Sequence, residues 1–150
     1  MMRILVINGP NLNLLGIREP EIYGSRTLAD LERELREYCA ERGVELEFFQ
    51  SNHEGAIVDK IQEAMGLFLG IIINPAAYTH TSIAIPDAIR ATGLPAVEVH
   101  LSDIYAREPY RRISYTSDAC IAVISGRRFE GYKEAVDILC SRLYNETRAE

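Results

Sequence analysis

The chain has 150 residues, of which 47% are hydrophobic and 25% are charged, proportions typical of a soluble globular protein. Its formal net charge of −6 excludes a global basic field that attracts nucleic acid or an anionic membrane surface. Cys39, Cys120 and Cys140 have no metal-ligand spacing, and the apolar runs are too short for a signal peptide or a membrane span, so we expect a cytoplasmic protein with reduced cysteines.

Strands and helices alternate along the chain. Apolar and β-branched runs predict five strands, at residues 3–9, 44–51, 70–74, 94–100 and 120–125. Periodic apolar stripes predict four helices, at residues 27–42, 55–65, 82–93 and 129–145. Thr27 is the expected N-cap of the first helix, with Asp30 three residues later and Gly43 after its end. Met65 is expected on the buried face of the second helix, and Pro86 must lie in the first turns of the third or kink it.

This order of elements predicts the fold. Alternating strands and helices fold into a parallel sheet that is covered by helices on both faces. We therefore expect one α/β domain across residues 1–150, a three-layer, doubly wound, five-stranded parallel sheet of the flavodoxin-like type.

The segment GIREPEIYG, residues 16–24, follows the first strand and has neither a helical nor a strand period. It carries Arg18 and Tyr23 five residues apart, and Gly16 and Gly24 at its ends are plausible hinges. Two interpretations are open from these residues: an ordinary surface loop, or a lid that brings a cation and a phenol to a site.

Polar side chains follow the ends of the strands, where ligands bind in a doubly wound sheet. All three histidines fall there: His53 after the second strand, His80 after the third and His100 at the end of the fourth. Asn11 follows the first strand, and Asn74 ends the third. The sequence therefore predicts a site at this edge of the sheet.

Several familiar chemistries have no matching residues. The chain contains no GxGxxG, GxxxxGK[ST] or GxSxG motif. Asn8 and Asn74 stand where a phospho-acceptor receiver domain needs acidic residues. Lys60 and Lys133 lie within predicted helices, away from the strand ends, which argues against an imine mechanism.

Two alternatives stay open at this point. One is a zinc-dependent hydrolase that uses His53, His80 and His100. The other is a flavodoxin-like module that binds a nucleotide, a flavin or another small molecule.

General acid–base chemistry without a cofactor fits the remaining residues. Glu98 and His100 are two residues apart in one strand, so their side chains leave the same face of the sheet. The carboxylate is expected to orient the imidazole and to favour its charged form. Asn11 and Asn74 are neutral donors that suit an enolate oxygen, directly or through a held water.

Four segments together carry a resemblance to a known family. NGPNLNLLGIREPEIYG, NPAAYTHTS, EVHLS and AREPYR, in this order and spacing, resemble type II 3-dehydroquinate dehydratase across essentially the whole chain. The resemblance implies a flavodoxin-like enzyme of the shikimate pathway, which leads to chorismate and the aromatic amino acids. It also implies reversible anti dehydration of 3-dehydroquinate to 3-dehydroshikimate through an enolate, with neither a metal nor an imine.

The resemblance assigns the proton abstraction to the segment at 16–24. It implies that Tyr23 removes the proton next to the ketone, and that Arg18 promotes ionisation of the phenol. A free tyrosine has a pKa of about 10, so ionising it near pH 7 requires about 4 kcal/mol. One fixed cation at about 4 Å supplies on the order of 4 kcal/mol at an effective dielectric constant near 20. We therefore expect the lid to close when the base acts.

The resemblance also assigns the residues that act on the departing hydroxyl, the substrate carboxylate and the enolate. It implies that His100 is the acid that protonates the departing hydroxyl, with Glu98 behind it. The backbone amides of Leu101 and Ser102 are expected to hold the substrate carboxylate. Asn74, together with Asn11, is expected to stabilise the enolate and to contact the substrate.

Further contacts and an assembly follow from the same resemblance. His80 and Arg111 are expected to bind ring hydroxyls, and Asp87 to reach the site of a neighbouring subunit. The implied assembly is a homododecamer of four trimers. The chain departs from the common family spelling at four positions that carry none of these roles: Ala76 (often glycine), Asp103 (often asparagine), Tyr105 (often histidine) and Pro86.

Overall fold

The computed structural model describes residues 2–17, 19–23 and 25–149, except for the side chains of Ile22, Tyr23 and Ala149. The strands are β1 (Met2–Asn8), β2 (Val44–Gln50), β3 (Gly70–Asn74), β4 (Ala96–His100) and β5 (Ala122–Ser125). The α-helices are α1 (Pro20–Tyr23), α2 (Leu28–Ala40), α3 (Glu54–Glu63), α4 (Ala84–Thr92) and α5 (Arg128–Ala149). The strands pair in parallel in the order β2-β1-β3-β4-β5, which confirms the predicted flavodoxin-like sheet.

The two faces of the sheet build two apolar layers, because successive strand side chains point to opposite faces. Ile4 and Val6 of β1 belong to the layer that packs against α2 and α5. Leu5 and Ile7 of the same strand belong to the layer that packs against α3 and α4. Strand β3, which lies in the middle of the sheet, is buried at every residue, as its continuous apolar run predicts.

The ends of the helices follow local chemistry. Thr27 caps α2 as predicted: its hydroxyl accepts a hydrogen bond from the Asp30 amide at 3.2 Å, and the Asp30 carboxylate accepts one from the Thr27 amide at 2.9 Å. The helix ends at Ala40, and the turn beyond it closes at Gly43, which has φ 68°. Pro86 is the third residue of α4. A backbone N–H at this position has no acceptor within the helix, so the N–H that proline lacks costs no hydrogen bond.

Two local predictions differ from the structure. Met65 is 53% exposed, because α3 ends at Glu63 and the chain then turns through Gly66 at φ 77°. The segment after β1, predicted without a helix, contains the single helical turn α1. No helix within the described ranges combines the length and the apolar character that crossing a bilayer requires.

The ends of β1 and β3 meet closely at the carboxyl edge of the sheet. Asn8 pairs with Asn74 in the register, and the Gly9 amide donates to the Asn74 carbonyl at 2.7 Å. A Cβ atom added to Gly9 would lie 2.4 Å from the carbonyl oxygen of Pro75. Glycine at this position therefore permits the approach of the two strands.

We expect Gly9→Ala to lower the free energy of unfolding by roughly 1–3 kcal/mol, because the backbone at Pro75 must move to accept the added methyl group. Gly55→Ala is the matched control: it lies in α3 with open space around it, and alanine should stabilise the helix by up to about 1 kcal/mol. Thermal midpoints of both variants at equal concentration test this. A Gly9→Ala midpoint equal to that of the wild type would contradict the packing argument.

Candidate active site

A cleft of about 540 Å³, including the open space at its mouth, lies at the carboxyl edge of the sheet. Its walls come from the segments that follow β1, β3 and β4. The predicted site residues that line it are Asn11, Asn74, His80, His100, Leu101, Ser102 and Arg111. The position agrees with the general location of ligand sites in doubly wound sheets.

Glu98 and His100 form a buried pair, as their two-residue spacing predicts. The side chain of Glu98 is fully buried, that of His100 is 5% exposed, and the His100 Nε2 atom bonds to the Glu98 carboxylate. The hydroxyl of Thr79 donates to the same carboxylate at 2.9 Å, and that of Ser114 lies 2.8 Å from both of its oxygens. Because Nε2 is engaged, Nδ1 is the nitrogen of His100 that is left for a ligand in the cleft.

Asn74 is buried at the end of β3, and its side-chain oxygen accepts a hydrogen bond from the backbone N–H of Ala76 at 3.1 Å. Ala76 has φ 53°, a left-handed conformation that favours glycine, so alanine at this position carries a backbone cost. Asn11 also has a left-handed backbone, with φ 69°, and its backbone N–H donates a hydrogen bond to the side-chain oxygen of Asn52 at 2.9 Å. Both asparagines line the cleft, and β1 and β3 are neighbours as predicted.

His80 and Arg111 both line the cleft: His80 lies in the segment after β3, and Arg111 ends the short helical turn at residues 109–111. The Nδ1 atom of His80 lies 2.7 Å from the Ile113 carbonyl, so this nitrogen carries the proton and Nε2 is the free acceptor. Burial lowers the pKa of His80, the bond to Ile113 opposes this shift, and His100 and Arg111 lower the pKa further. Arg111 forms an ion pair with Glu108 at 3.0 Å.

Several predicted residues do not line the described cleft. His53 is exposed at the start of α3, and the described part of the chain holds no group of three His, Cys, Asp or Glu that suits a metal ion. The structure therefore does not assemble the three-histidine zinc site. Asp87 is exposed on α4, 3.4 Å from Arg90. Arg18 and the side chain of Tyr23 lie outside the described residues.

Gly16 lies close to the backbone of Ser25 and Arg26. A Cβ atom added to Gly16 would lie 2.7 Å from the Ser25 carbonyl and 3.0 Å from that of Arg26. Gly16 also has φ 88°, which other residues rarely adopt. The backbone at Gly16, shortly after the cleft-lining residue Leu12, therefore approaches that of Ser25 and Arg26 too closely to accept a side chain.

The sequence analysis missed residues that support the site from a distance. Thr79 and Ser114 hold Glu98, and Tyr132 of α5 bonds to Asn74. Arg107 lines the cleft beside Arg111. Thr79 and Arg107 lie within motifs that the sequence analysis singled out, whereas the contacts of Ser114 and Tyr132 join residues that are 16 or more positions apart in the chain.

Comparisons with known proteins agree on one family. The family model for class II dehydroquinase matches residues 2–140. The catabolic 3-dehydroquinase of Penicillium rubens is 58% identical over 137 residues, which cover 91% of this chain and 88% of that protein. The 3-dehydroquinate dehydratase of Endomicrobium trichonymphae is 56% identical over 132 residues, which cover 88% and 92%.

A solved structure gives the same result for the fold. The type II dehydroquinase from Butyrivibrio crossotus superposes with a TM-score of 0.90 at 51% sequence identity. The match covers 92% of this chain and 97% of that one.

We expect Ser114→Ala to destabilise the protein by about 1.5–3 kcal/mol, because the buried Glu98 carboxylate loses a hydroxyl donor. Ser117→Ala is the control: its hydroxyl bonds to the neutral backbone oxygen of Ser114 at 2.8 Å, and its loss should cost about 1 kcal/mol. Denaturant unfolding of the two variants provides the comparison. Equal losses of unfolding free energy would show that the bond from Ser114 to Glu98 stabilises the protein no more than a bond to a neutral oxygen does.

Proposed function

Since the chain belongs to the class II dehydroquinase family, we infer that it is a 3-dehydroquinate dehydratase, a hydro-lyase of the shikimate pathway. It converts 3-dehydroquinate reversibly to 3-dehydroshikimate and water. The observation that supports this assignment most strongly is the agreement of family and geometry: His100, which bonds to the buried Glu98, and Asn74 line one cleft. Neither a metal hydrolase nor a nucleotide or flavin module is favoured by the relatives.

The proposed reaction begins with proton abstraction. Tyr23, as phenolate, takes the proton from the carbon next to the ketone, and the electron pair of that C–H bond moves to the ketone oxygen. Arg18 keeps the phenol ionised while the loop is closed. The resulting enolate oxygen accepts hydrogen bonds from Asn74 and Asn11, directly or through a held water.

Loss of the hydroxyl completes the reaction. The enolate collapses to the ketone, a carbon–carbon double bond forms, and the C–O bond on the opposite face of the ring breaks. His100 gives its proton to the departing oxygen, which leaves as water. Glu98 holds Nε2 of the same ring, so we assign the donated proton to Nδ1. The cycle closes when Tyr23 releases its proton and His100 regains one.

The remaining cleft residues suit the polar groups of the substrate. We assign the carboxylate to the backbone amides of Leu101 and Ser102, beside the end of β4. His80 offers Nε2 as an acceptor for one ring hydroxyl, and Arg111 offers guanidinium donors. These groups orient the ring between the phenol and the imidazole.

We also propose a homododecamer of four trimers in which Asp87 reaches a neighbouring site. Exposed apolar side chains near the cleft support an interface: Ile83 is 61% exposed, Tyr110 63% and Ile113 52%. A cytoplasmic location fits the free thiols of the cysteines, two of which, Cys39 and Cys120, have pKa values that burial raises to about 12.

We expect turnover of 3-dehydroquinate by the wild type, seen as conjugated-enone absorbance that persists with a chelator and after borohydride treatment. Tyr23→Phe should lower the rate at least about a hundredfold, because it removes the general base and keeps the ring. Tyr144→Phe, at an exposed phenol far along α5, is the matched control and should keep full activity. Absence of wild-type turnover would defeat the assignment of function, and near-normal turnover by Tyr23→Phe would defeat the assignment of the base.

The role of Arg18 is tested by the same assay. Arg18→Gln should move the rise of the rate with pH to higher pH, because the phenol then holds its proton more tightly. A pH profile identical to that of the wild type would remove Arg18 from the mechanism.

The assembly predicts a particle of twelve times 16.9 kDa by light scattering. We expect Ile83→Glu to reduce this mass, because it places a charge in an apolar contact. Leu67→Glu is the control, since Leu67 is 57% exposed in the turn between α3 and β3, at the opposite edge of the sheet. A monomeric wild type, or equal effects of the two changes, would contradict this interface.

A further inference from the structure

The turn at residues 101–104 follows β4 and is bonded to the chain that leaves β5. The backbone N–H of Gly126 donates a hydrogen bond to the carbonyl of His100 at 3.2 Å, and that of Arg128 donates one to the carbonyl of Leu101 at 3.1 Å. Both carbonyl groups therefore point toward this chain, on the side of β4 where β5 pairs with it.

These two bonds set the direction of the next two backbone N–H groups. In a planar trans peptide, the N–H of one residue points opposite to the carbonyl of the residue before it. The N–H groups of Leu101 and Ser102 therefore point away from the chain that leaves β5. Both residues line the cleft, whereas Ser125, Gly126 and Arg128 do not. Neither N–H has a backbone partner among the described residues, so both are available to a ligand in the cleft.

The side chain of Ser125, the last residue of β5, holds the rest of the 101–104 turn. Its hydroxyl lies 3.1 Å from the backbone nitrogen of Ile104 and 3.2 Å from the carbonyl oxygen of Ser102. A backbone N–H can only donate and a carbonyl can only accept. The hydroxyl oxygen of Ser125 therefore accepts from Ile104, and its proton goes to Ser102. A Cβ atom added to Gly126 would lie 3.1 Å from the Cβ atom of Asp103, so the turn and this chain are in direct contact.

We propose that Ser125 is a positioning residue for substrate binding: its hydroxyl holds the 101–104 turn so that the N–H groups of Leu101 and Ser102 stay directed into the cleft, where they bind the substrate carboxylate. This proposal rests on the function proposed above. Ser125 acts through the backbone of the turn and does not touch the substrate. Backbone N–H donors that are held in place bind a carboxylate through strong, charge-assisted hydrogen bonds.

A purely structural role of this hydroxyl makes a different prediction. A hydroxyl that only satisfies backbone groups contributes to the free energy of unfolding, and its loss leaves substrate binding by the folded enzyme unchanged. A positioning role weakens the binding of the carboxylate. Because the carboxylate takes no part in the bond changes, its contacts are equally strong in the ground state and the transition state. Their loss raises KM and leaves kcat nearly unchanged.

The test is Ser125→Ala, which deletes the hydroxyl. We expect KM for 3-dehydroquinate to rise about 3- to 10-fold with kcat within about twofold of the wild-type value, because one pair of hydrogen bonds to the turn is lost. Ser125→Thr keeps the hydroxyl and suits a strand, so its KM should stay within about twofold of the wild-type value.

Thr92→Val is the matched control, because the hydroxyl of Thr92 makes the same pair of bonds away from the cleft. At the end of α4 it donates to the carbonyl of Ile89 at 2.7 Å and accepts from the backbone N–H of Leu94 at 3.1 Å. Both hydroxyls belong to half-buried residues, so the two losses should lower the thermal midpoint similarly. Only the loss at Ser125 should raise KM. A KM for Ser125→Ala within twofold of the wild type, or an equal rise in Thr92→Val, would overturn the proposal.

Direct binding tests the same claim without turnover. In a Tyr23→Phe background, which lacks the proposed base, titration calorimetry with 3-dehydroquinate measures Kd. Adding Ser125→Ala should raise Kd by the same factor as it raises KM, because the carboxylate is bound before any chemistry occurs. An unchanged Kd would overturn the proposal.

A second pair of variants covers a Ser125→Ala protein that does not fold. Ser125→Val then replaces it, because valine and threonine have nearly the same shape and differ in the hydroxyl. Equal KM values for Ser125→Val and Ser125→Thr would overturn the proposal. Wild-type turnover of 3-dehydroquinate is measured first. An inactive wild type defeats the function proposed above, whereas an active wild type with an unaffected Ser125→Ala defeats only the role of Ser125.

Discussion

Burial of polar groups at the carboxyl edge of the sheet is the constraint on which the site depends. The fully buried carboxylate of Glu98 has lost its water, so it requires hydrogen-bond donors from the protein. Thr79, Ser114 and His100 supply them. The same bonds that make the burial tolerable hold the imidazole of His100 in one orientation. The stability of this edge and the geometry of the proposed acid therefore have a common physical origin.

The alternation of side chains along the strands explains how side chains from both faces of the sheet reach one cleft. Glu98 and His100 leave β4 on the face that is covered by α3 and α4, whereas Asn74 leaves β3 on the face that is covered by α2 and α5. His100, the proposed acid, thus reaches the cleft from one face of the sheet and the neutral amide of Asn74 from the other. Two different polar groups of one substrate can therefore be contacted at the same time.

Much of the fold follows from the sequence, because it rests on local patterns. The buried run GIIIN predicts a central strand, and Thr27 with Asp30 predicts the start of α2. The pairing of Glu98 with His100 also follows from a spacing of two. Ser114 and Tyr132 were missed because their contacts join distant parts of the chain, which no periodicity reveals. Met65 was wrongly expected to be buried because the end of α3 depends on the turn at Gly66.

The most direct measurement is a crystal structure of the Tyr23→Phe variant with 3-dehydroquinate bound. The account predicts the substrate in the cleft between Asn74 and His100, with its carboxylate on the amides of Leu101 and Ser102. It also predicts the Asn74 N–H within hydrogen-bond reach of the ketone oxygen or of a water bound to it. A substrate bound outside this cleft, or one whose departing hydroxyl points away from His100, would contradict the account.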